Sequence, residues 1–359
     1  MADVQPFRAV RYAGAAGPLA DLVAPPYDAV DEEERARLYT RSPYNVVHVT
    51  LPESVEEAGR LFRAWLAEGI LEREATPSSW LVVESFVGPD GVDRERHGLA
   101  VSVAAEPYAT GHVLPHERTH GGIREERLRL LRATRVQPEP IFLLADAALE
   151  LEVPESAPDL EVNGTRLWRL HRSATDVLGG AQLLIADGHH RYEAAVEFGR
   201  ELGGLARIMA LVVPAHDPGL HVFPTHRLFT GRPDLAELRE GERCTTVDEA
   251  LARIACEPFE RAATVAYRRD AVEIVFGRND ELDVQLVDRH GLGGIRYTAR
   301  ASEALEAVDR READVAYLLR EPRVDDVFAV ARRGERMPPK STYFFPKPLS
   351  GLLFHPLDR

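Results

Sequence analysis

A chain of 359 residues is longer than one simple hydrophobic core organises, and predicts two or three domains. Hydrophobic residues at 45% and charged residues at 28% are ordinary globular values and exclude wholesale disorder. The net charge of −14 argues against a broad electrostatic footprint for DNA or RNA, although a local pocket on an acidic protein can still be positive and take a small anion.

The two cysteines, Cys244 and Cys256, lack a metal-like spacing and fit a reduced compartment. The N-terminus MADVQPFRAVRYAG has no apolar signal core and no run reaches the length of a membrane span, so a cytoplasmic protein without a membrane partner is expected. Nearly every basic residue is Arg. The two lysines, Lys340 and Lys347, both lie in the segment 338–347, and a compact ammonium at a specific contact is not interchangeable with a guanidinium.

In chain order, Ala24-Pro25-Pro26-Tyr27-Asp28 predicts an extended turn, because two prolines oppose regular structure. Acidic residues 31–34 open a short helix, and Tyr44-Asn45 reads as a turn leading into a strand. Residues 54–68 place Val55, Leu61, Phe62, Trp65 and Leu66 on one helical stripe closed by Gly69. Segments 80–87 and 97–104 flank Gly88-Pro89-Asp90-Gly91 as a hairpin. A charged amphipathic helix over 124–133 precedes a strand over 141–144. The strand 183–186 runs into a glycine turn, a helix over 190–202 and a strand over 207–213. Beyond about 232 the pattern predicts helices over 234–240 and 247–255, strands over 263–267, 272–276 and 283–287, and helices over 302–320 and 324–333. This alternation predicts an α/β or α+β fold without internal repeats. The boundary is placed near 230, giving a first region of 1–230 and a C-terminal α+β region of 231–359.

The chemistry centres on Asp187-Gly188-His189-His190-Arg191-Tyr192, between an apolar strand and a helix. The first turn of a helix offers free N–H groups and a positive dipole end. Gly188 allows close approach of a ligand, and Arg191 can fork onto phosphate oxygens. Adjacent His189 and His190 point apart, so one can contact phosphate or move a proton while the other packs inward. The alternative is a helix capped by Asp187, with both histidines simply packed.

ADGHHRYEAA resembles the phosphate-binding motif of the ParB/sulfiredoxin-like superfamily, whose members bind a nucleotide at this turn. A wider resemblance spans PPYDAV (25–30), SPYNVVHVTLP (42–52), HERT (116–119), REERLRLL (124–131), IADGHHRYEAA (185–195), HDPGLHVFPTHRLF (216–229) and PPKSTYFFPKPLSGLLF (338–354). In motif order and spacing these are similar to the microbial family catalogued as domain of unknown function 1015, whose genes often lie beside those of serine biosynthesis. The resemblance implies a ParB/sulfiredoxin-like mixed α/β core with an additional α/β region, and a tail over 338–354 that returns to the site.

His116-Glu117-Arg118-Thr119-His120 matches the H-E-x-x-H zinc pattern, which works only on a continuous helix. Pro115 before it and Gly121-Gly122 after it argue against that helix, so a zinc hydrolase is the remote alternative. Glu117 in a loop before a helix can instead take a hydroxyl proton during phosphoryl transfer, with His116 beside the substrate. Thr119 can cap the helix carrying Arg124 and Arg127, two arginines spaced to clamp an anion or, equally, to form surface ion pairs. Asp28 is a second candidate carboxylate. His226 and Arg227 are pocket-wall candidates, with a packed role favoured. Lys340, Ser341 and Thr342 offer a cation and hydroxyls for phosphate or a substrate carboxylate.

The combined expectation is a nucleotide-dependent kinase of a small metabolite. The resemblance implies ATP or ADP with Mg²⁺ as donor, free L-serine as first acceptor, and no protein metal ligand. A non-catalytic nucleotide-binding regulator is the alternative, and a homo-oligomer is left open.

Overall fold

The computed structural model describes residues 2–149, 151–170, 177–178, 180–230, 241–258, 260–279, 281–289 and 295–357. The helix expected over 234–240 lies outside the described residues.

The fold is mixed α/β, with two main sheets. The first runs, edge to edge, Val113–Pro115, Leu183–Asp187, Ile141–Ala145, Arg207–Pro214, Asp93–Ala104, Ser79–Val87, Thr165–Leu170 and Leu160–Val162, with Val4–Gln5 added along Asp93–Ala104. Pairing is parallel between Leu183–Asp187 and Val113–Pro115 and between Arg207–Pro214 and Ile141–Ala145; the other pairs are antiparallel. Side chains alternate across the sheet. Phe142 and Leu144 enter one core with Trp80, Leu184 and Leu211, covered by Val327 and Phe328 of the helix Val324–Arg332 and by Phe344, Leu352 and Leu353 of the tail. Ile141 and Leu143 enter the opposite core with Leu183, Ile185, Ile208 and Tyr192. Burial on both faces is why these strands read as unbroken apolar runs.

The second sheet is antiparallel and takes its strands from His226 onward, in the order Glu242–Cys244, Ala271–Asn279, Arg261–Arg268, Val315–Leu319, His226–Phe229 and Ile295–Thr298. Three expectations fail here and in the N-terminal region. The segment 283–287 is the helix Asp283–Arg289, whose Val284, Leu286 and Val287 fill a core below the sheet; a run this short satisfies either period. The helix expected over 302–320 ends at Asp309, and Val315–Leu319 is a fully buried strand. Its place between two neighbouring strands overrides helical spacing. Tyr44-Asn45 leads into the short helix Val47–Thr50, not a strand. Buried Asn45 fixes that start by donating to Asp21 O (2.7 Å) and accepting from the Val47 N–H (2.9 Å). The acidic helix runs further than its opening, over Glu32–Arg41.

A two-stranded ladder of His221–Phe223 with Tyr343–Phe345 brings the C-terminal tail back across the first sheet. Fully buried Arg96 secures it, pairing with Glu84 at 2.5 Å and donating to Pro346 O at 2.8 Å.

Candidate functional site

The strand Leu183–Asp187 ends at Asp187, Gly188 turns the chain with φ of 94°, and the helix His189–Glu201 follows. A Cβ on Gly188 would lie 2.6 Å from Ile141 Cγ2, so both backbone and packing require glycine. Gly188 is itself the N-cap, without a side-chain cap bond. Asp187 therefore does not cap this helix; its carboxylate is shared between Arg191 (2.8 Å) and Lys347 (2.9 Å). The first bond closed within the helix is Tyr192 N–H to Gly188 O, and the N–H groups before it form the open end of the helix.

The two histidines do point apart. Both hold the loop 116–120. His189 is buried, and its Nε2 accepts the backbone N–H groups of His116 (3.3 Å) and Glu117 (3.4 Å). Burial drives its pKa well below the usual imidazole value, so the ring is neutral. His190 Nε2 accepts from the His120 N–H (2.9 Å), and burial lowers its pKa too. Both Nε2 atoms are thus engaged by backbone N–H groups of the loop.

The loop itself is not helical. His116 follows the strand Val113–Pro115, and the helix Gly121–Thr134 starts only after His120. The two histidines of H-E-x-x-H do not share a helical face, and among the described residues no group of three or more His, Cys, Asp or Glu could hold a metal ion. His116 is buried between the Ile185 carbonyl (2.6 Å) and Thr342 Oγ1 (3.0 Å), with burial pushing its pKa down to about 4. Thr119 does not cap the helix but donates to Glu193 (2.7 Å).

The arginines also turn inward. Arg191 donates to Pro140 O (2.7 Å) and Asp187, and approaches Glu139 at 3.9 Å. Arg127 is buried, donating to Thr50 O (2.9 Å), pairing with Glu126 and lying 4.2 Å from the Tyr27 ring. Arg124 faces Glu193 at 3.7 Å. Arg124 and Arg127 thus face different partners, and the terminal nitrogens of Arg191 are turned to Pro140 O and Asp187. His226 is equally committed, its Nδ1 accepting the Leu319 N–H (3.2 Å) within the second sheet. Its neighbour Arg227 pairs with Asp288 (3.1 Å) and donates to the carbonyl of Lys340 (3.3 Å).

What gathers beside the turn is a set of carboxylates and both lysines. Residues 337–347 form a strap over it. Met337 N–H bonds His116 O (2.7 Å), Thr342 bonds the His116 ring, and Phe344 packs against His116 and Phe142. Ser341 Oγ donates to Pro338 O (2.6 Å) within the strap. Lys340 is exposed, with φ of 56°. Lys347 reaches Asp28 of the proline turn as well as Asp187.

The two candidate carboxylates differ in kind. Burial raises the pKa of Glu117, and the Lys340 charge only partly opposes this. Asp28 is also penalised by burial, but Lys347 and Arg191 outweigh it and hold the carboxyl below its ordinary value. Glu117 is therefore the better proton acceptor, and Asp28 is a fixed anion. Sequence reasoning had not placed Lys347 in the site; its rarity as one of two lysines was the available signal. A cavity of about 490 Å³ lies elsewhere and meets the strap at Met337 and Ser341.

The family described as protein of unknown function (DUF1015) matches residues 4–300, and the chain belongs to it. An ATP-dependent L-serine kinase of Staphylothermus marinus is 22% identical over 236 residues, covering 62% of this chain and 91% of that protein. A free serine kinase in complex with AMP aligns with a TM-score of 0.40 and 19% identity over 68% of this chain and 86% of that one. A variant free serine kinase in complex with ADP aligns with a TM-score of 0.41 and 17% identity over 68% and 87%. No helix among the described residues is long and apolar enough to cross a membrane.

Proposed function

We propose that this DUF1015 protein is a nucleotide-dependent kinase of a small hydroxyl-bearing metabolite, with free L-serine the first acceptor to test. The observation that carries this reading is Glu117, a half-buried residue whose carboxyl has a raised pKa and whose backbone N–H is held by His189, beside an open helix N-terminus and both lysines of the chain. The distant relationship to an L-serine kinase supports it.

In this reading the N–H groups at the start of the helix His189–Glu201 receive phosphate oxygens. Glu117 takes the acceptor hydroxyl proton as the acceptor oxygen bonds to the terminal phosphorus. The bridging P–O bond breaks, and the nucleotide leaves with one phosphate fewer. Lys340, beside Glu117, balances phosphate or acceptor charge. Mg²⁺ bound with the nucleotide would neutralise further phosphate charge.

The test is incubation of purified protein with ATP or ADP, Mg²⁺ and L-serine, with O-phosphoserine read by mass spectrometry. Nucleotide binding without turnover over an amino-acid panel overturns the kinase reading. It establishes instead a nucleotide-binding regulator, the reading favoured by the inward commitment of Arg191 and His189.

A further inference from the structure

We infer that Lys347 is the cation that contacts the ligand's phosphate, held in place by Asp28 and Asp187; this rests on the reading of the turn as a nucleotide site. The cations assigned to that task from sequence are engaged with the protein itself. Arg191 turns its terminal nitrogens to Pro140 O and Asp187, near Glu139, and its Nε, which has no hydrogen-bond partner among the described residues, is buried. Arg127 serves Thr50, Glu126 and Tyr27. Lys340 is exposed, and its charge acts on Glu117.

Lys347 differs on three counts. Its ammonium carries three donors, and the two ion pairs to Asp28 and Asp187 use two of them. Its side chain is 19% exposed, so the remaining donor is within reach of a ligand while the stem is already ordered. Immobilising a lysine normally costs side-chain entropy on binding, and here the fold has already met that cost. Finally, Asp187 immediately precedes the N-cap Gly188, so the ammonium is anchored two residues before the helix whose free N–H groups face the same anion.

The carboxylates explain why such a cation is needed. Asp28 and Asp187 come from strands and turns far apart in sequence, and both would repel a phosphate. Bridging them, Lys347 reduces that repulsion and presents its third N–H beside the helix end. The strap is itself pinned by Arg96 on Pro346 O, the residue next to Lys347, which fixes the position of the ammonium.

The experiment is calorimetry on the full chain with ADP, and with pyrophosphate as a probe lacking the base. Lys347→Met is expected to weaken both by roughly 10- to 100-fold, the loss of one charge-assisted hydrogen bond. Adding Asp28→Asn to Lys347→Met is expected not to restore affinity. Unchanged affinity in Lys347→Met overturns the inference, as does restoration in the double variant, because Lys347 would then act only by neutralising Asp28. Should Lys347→Met fail to fold, Lys347→Arg retains the charge and is expected to bind ADP more weakly than wild type; equal binding overturns the contact. Wild-type protein that binds neither probe overturns this inference and the nucleotide reading together. Lys347-dependent ADP binding without any phosphotransfer defeats the kinase alone.

Discussion

His116 Nε2 and Thr342 Oγ1 lie 3.0 Å apart across 226 residues of sequence, and this bond ties the loop bearing Glu117 to the strap bearing both lysines. The opposite ring nitrogen faces the Ile185 carbonyl at 2.6 Å, which only an Nδ1–H can satisfy. Nε2 is therefore the acceptor, and Thr342 donates. Thr342→Val keeps the shape but leaves a buried acceptor without its donor, at a cost of about 1–3 kcal/mol. Chemical denaturation measures the loss. Unchanged stability would show that the strap is held without this bond.

Gly188→Ala tests the turn. Its φ of 94° and the 2.6 Å approach of a Cβ to Ile141 Cγ2 allow no simple relief. Strain of roughly 1–3 kcal/mol is expected, together with weaker ADP binding as the helix end shifts. A variant with wild-type stability and ADP affinity would remove the turn from the site.

Glu117→Gln separates chemistry from folding. The neutral amide cannot accept the hydroxyl proton, so phosphotransfer should fall by about 100-fold or more, while ADP affinity stays near wild type. Its stability should move the other way. The carboxyl has its folded pKa raised by burial, so it favours the fold below the unfolded value and loses that contribution as pH rises through the folded value. At neutral pH the variant should melt at or above the wild-type temperature. A rate that survives the substitution excludes Glu117 as the base.

Much of this architecture is legible in the sequence, for identifiable reasons. Leu183-Leu184-Ile185-Ala186 followed by Asp187-Gly188 can hardly be anything other than a buried strand entering a turn, and the structure agrees. The segments 283–287 and 315–319 fail because a five-residue apolar run satisfies either period, and the neighbouring strands decide. The site was legible in its backbone and less so in its side chains. An arginine at 191 or 127 is visible in a sequence, but not the carbonyl that captures it. The pairing of Lys347 with Asp28 spans 319 residues, and no local pattern encodes it.

Arg96→Met tests what anchors the strap. Arg96 is fully buried, bonds Glu84 at 2.5 Å, lies 4.4 Å from the Phe142 ring and holds Pro346 O. Removing one partner of a buried pair strands the other charge, and the expected loss is about 3–5 kcal/mol. Glu84→Gln together with Arg96→Met should recover part of it. A double variant no more stable than Arg96→Met would mean that the strap contacts, not the charge pair, dominate.

Acid should unfold this protein earlier than its carboxylates require. His116, His226 and His355 are each buried, and burial lowers each pKa from 6.5 to about 4. His189 shifts in the same direction. Unfolded, these rings take up protons as pH falls through 6.5; folded, they do not until about 4. The unfolded state thus binds more protons across that window, and stability must fall as pH falls. Each ring contributes at most about 1.4 kcal/mol per pH unit. Glu117 and Asp217, whose pKa values are raised by burial, act in the opposite sense but are fewer. Urea titrations at pH 7.5, 6 and 5 should show the midpoint dropping at each step, and His355→Gln should flatten the slope by up to one proton. A midpoint constant from pH 7.5 to 5 would mean that these imidazoles titrate as freely in the fold as outside it.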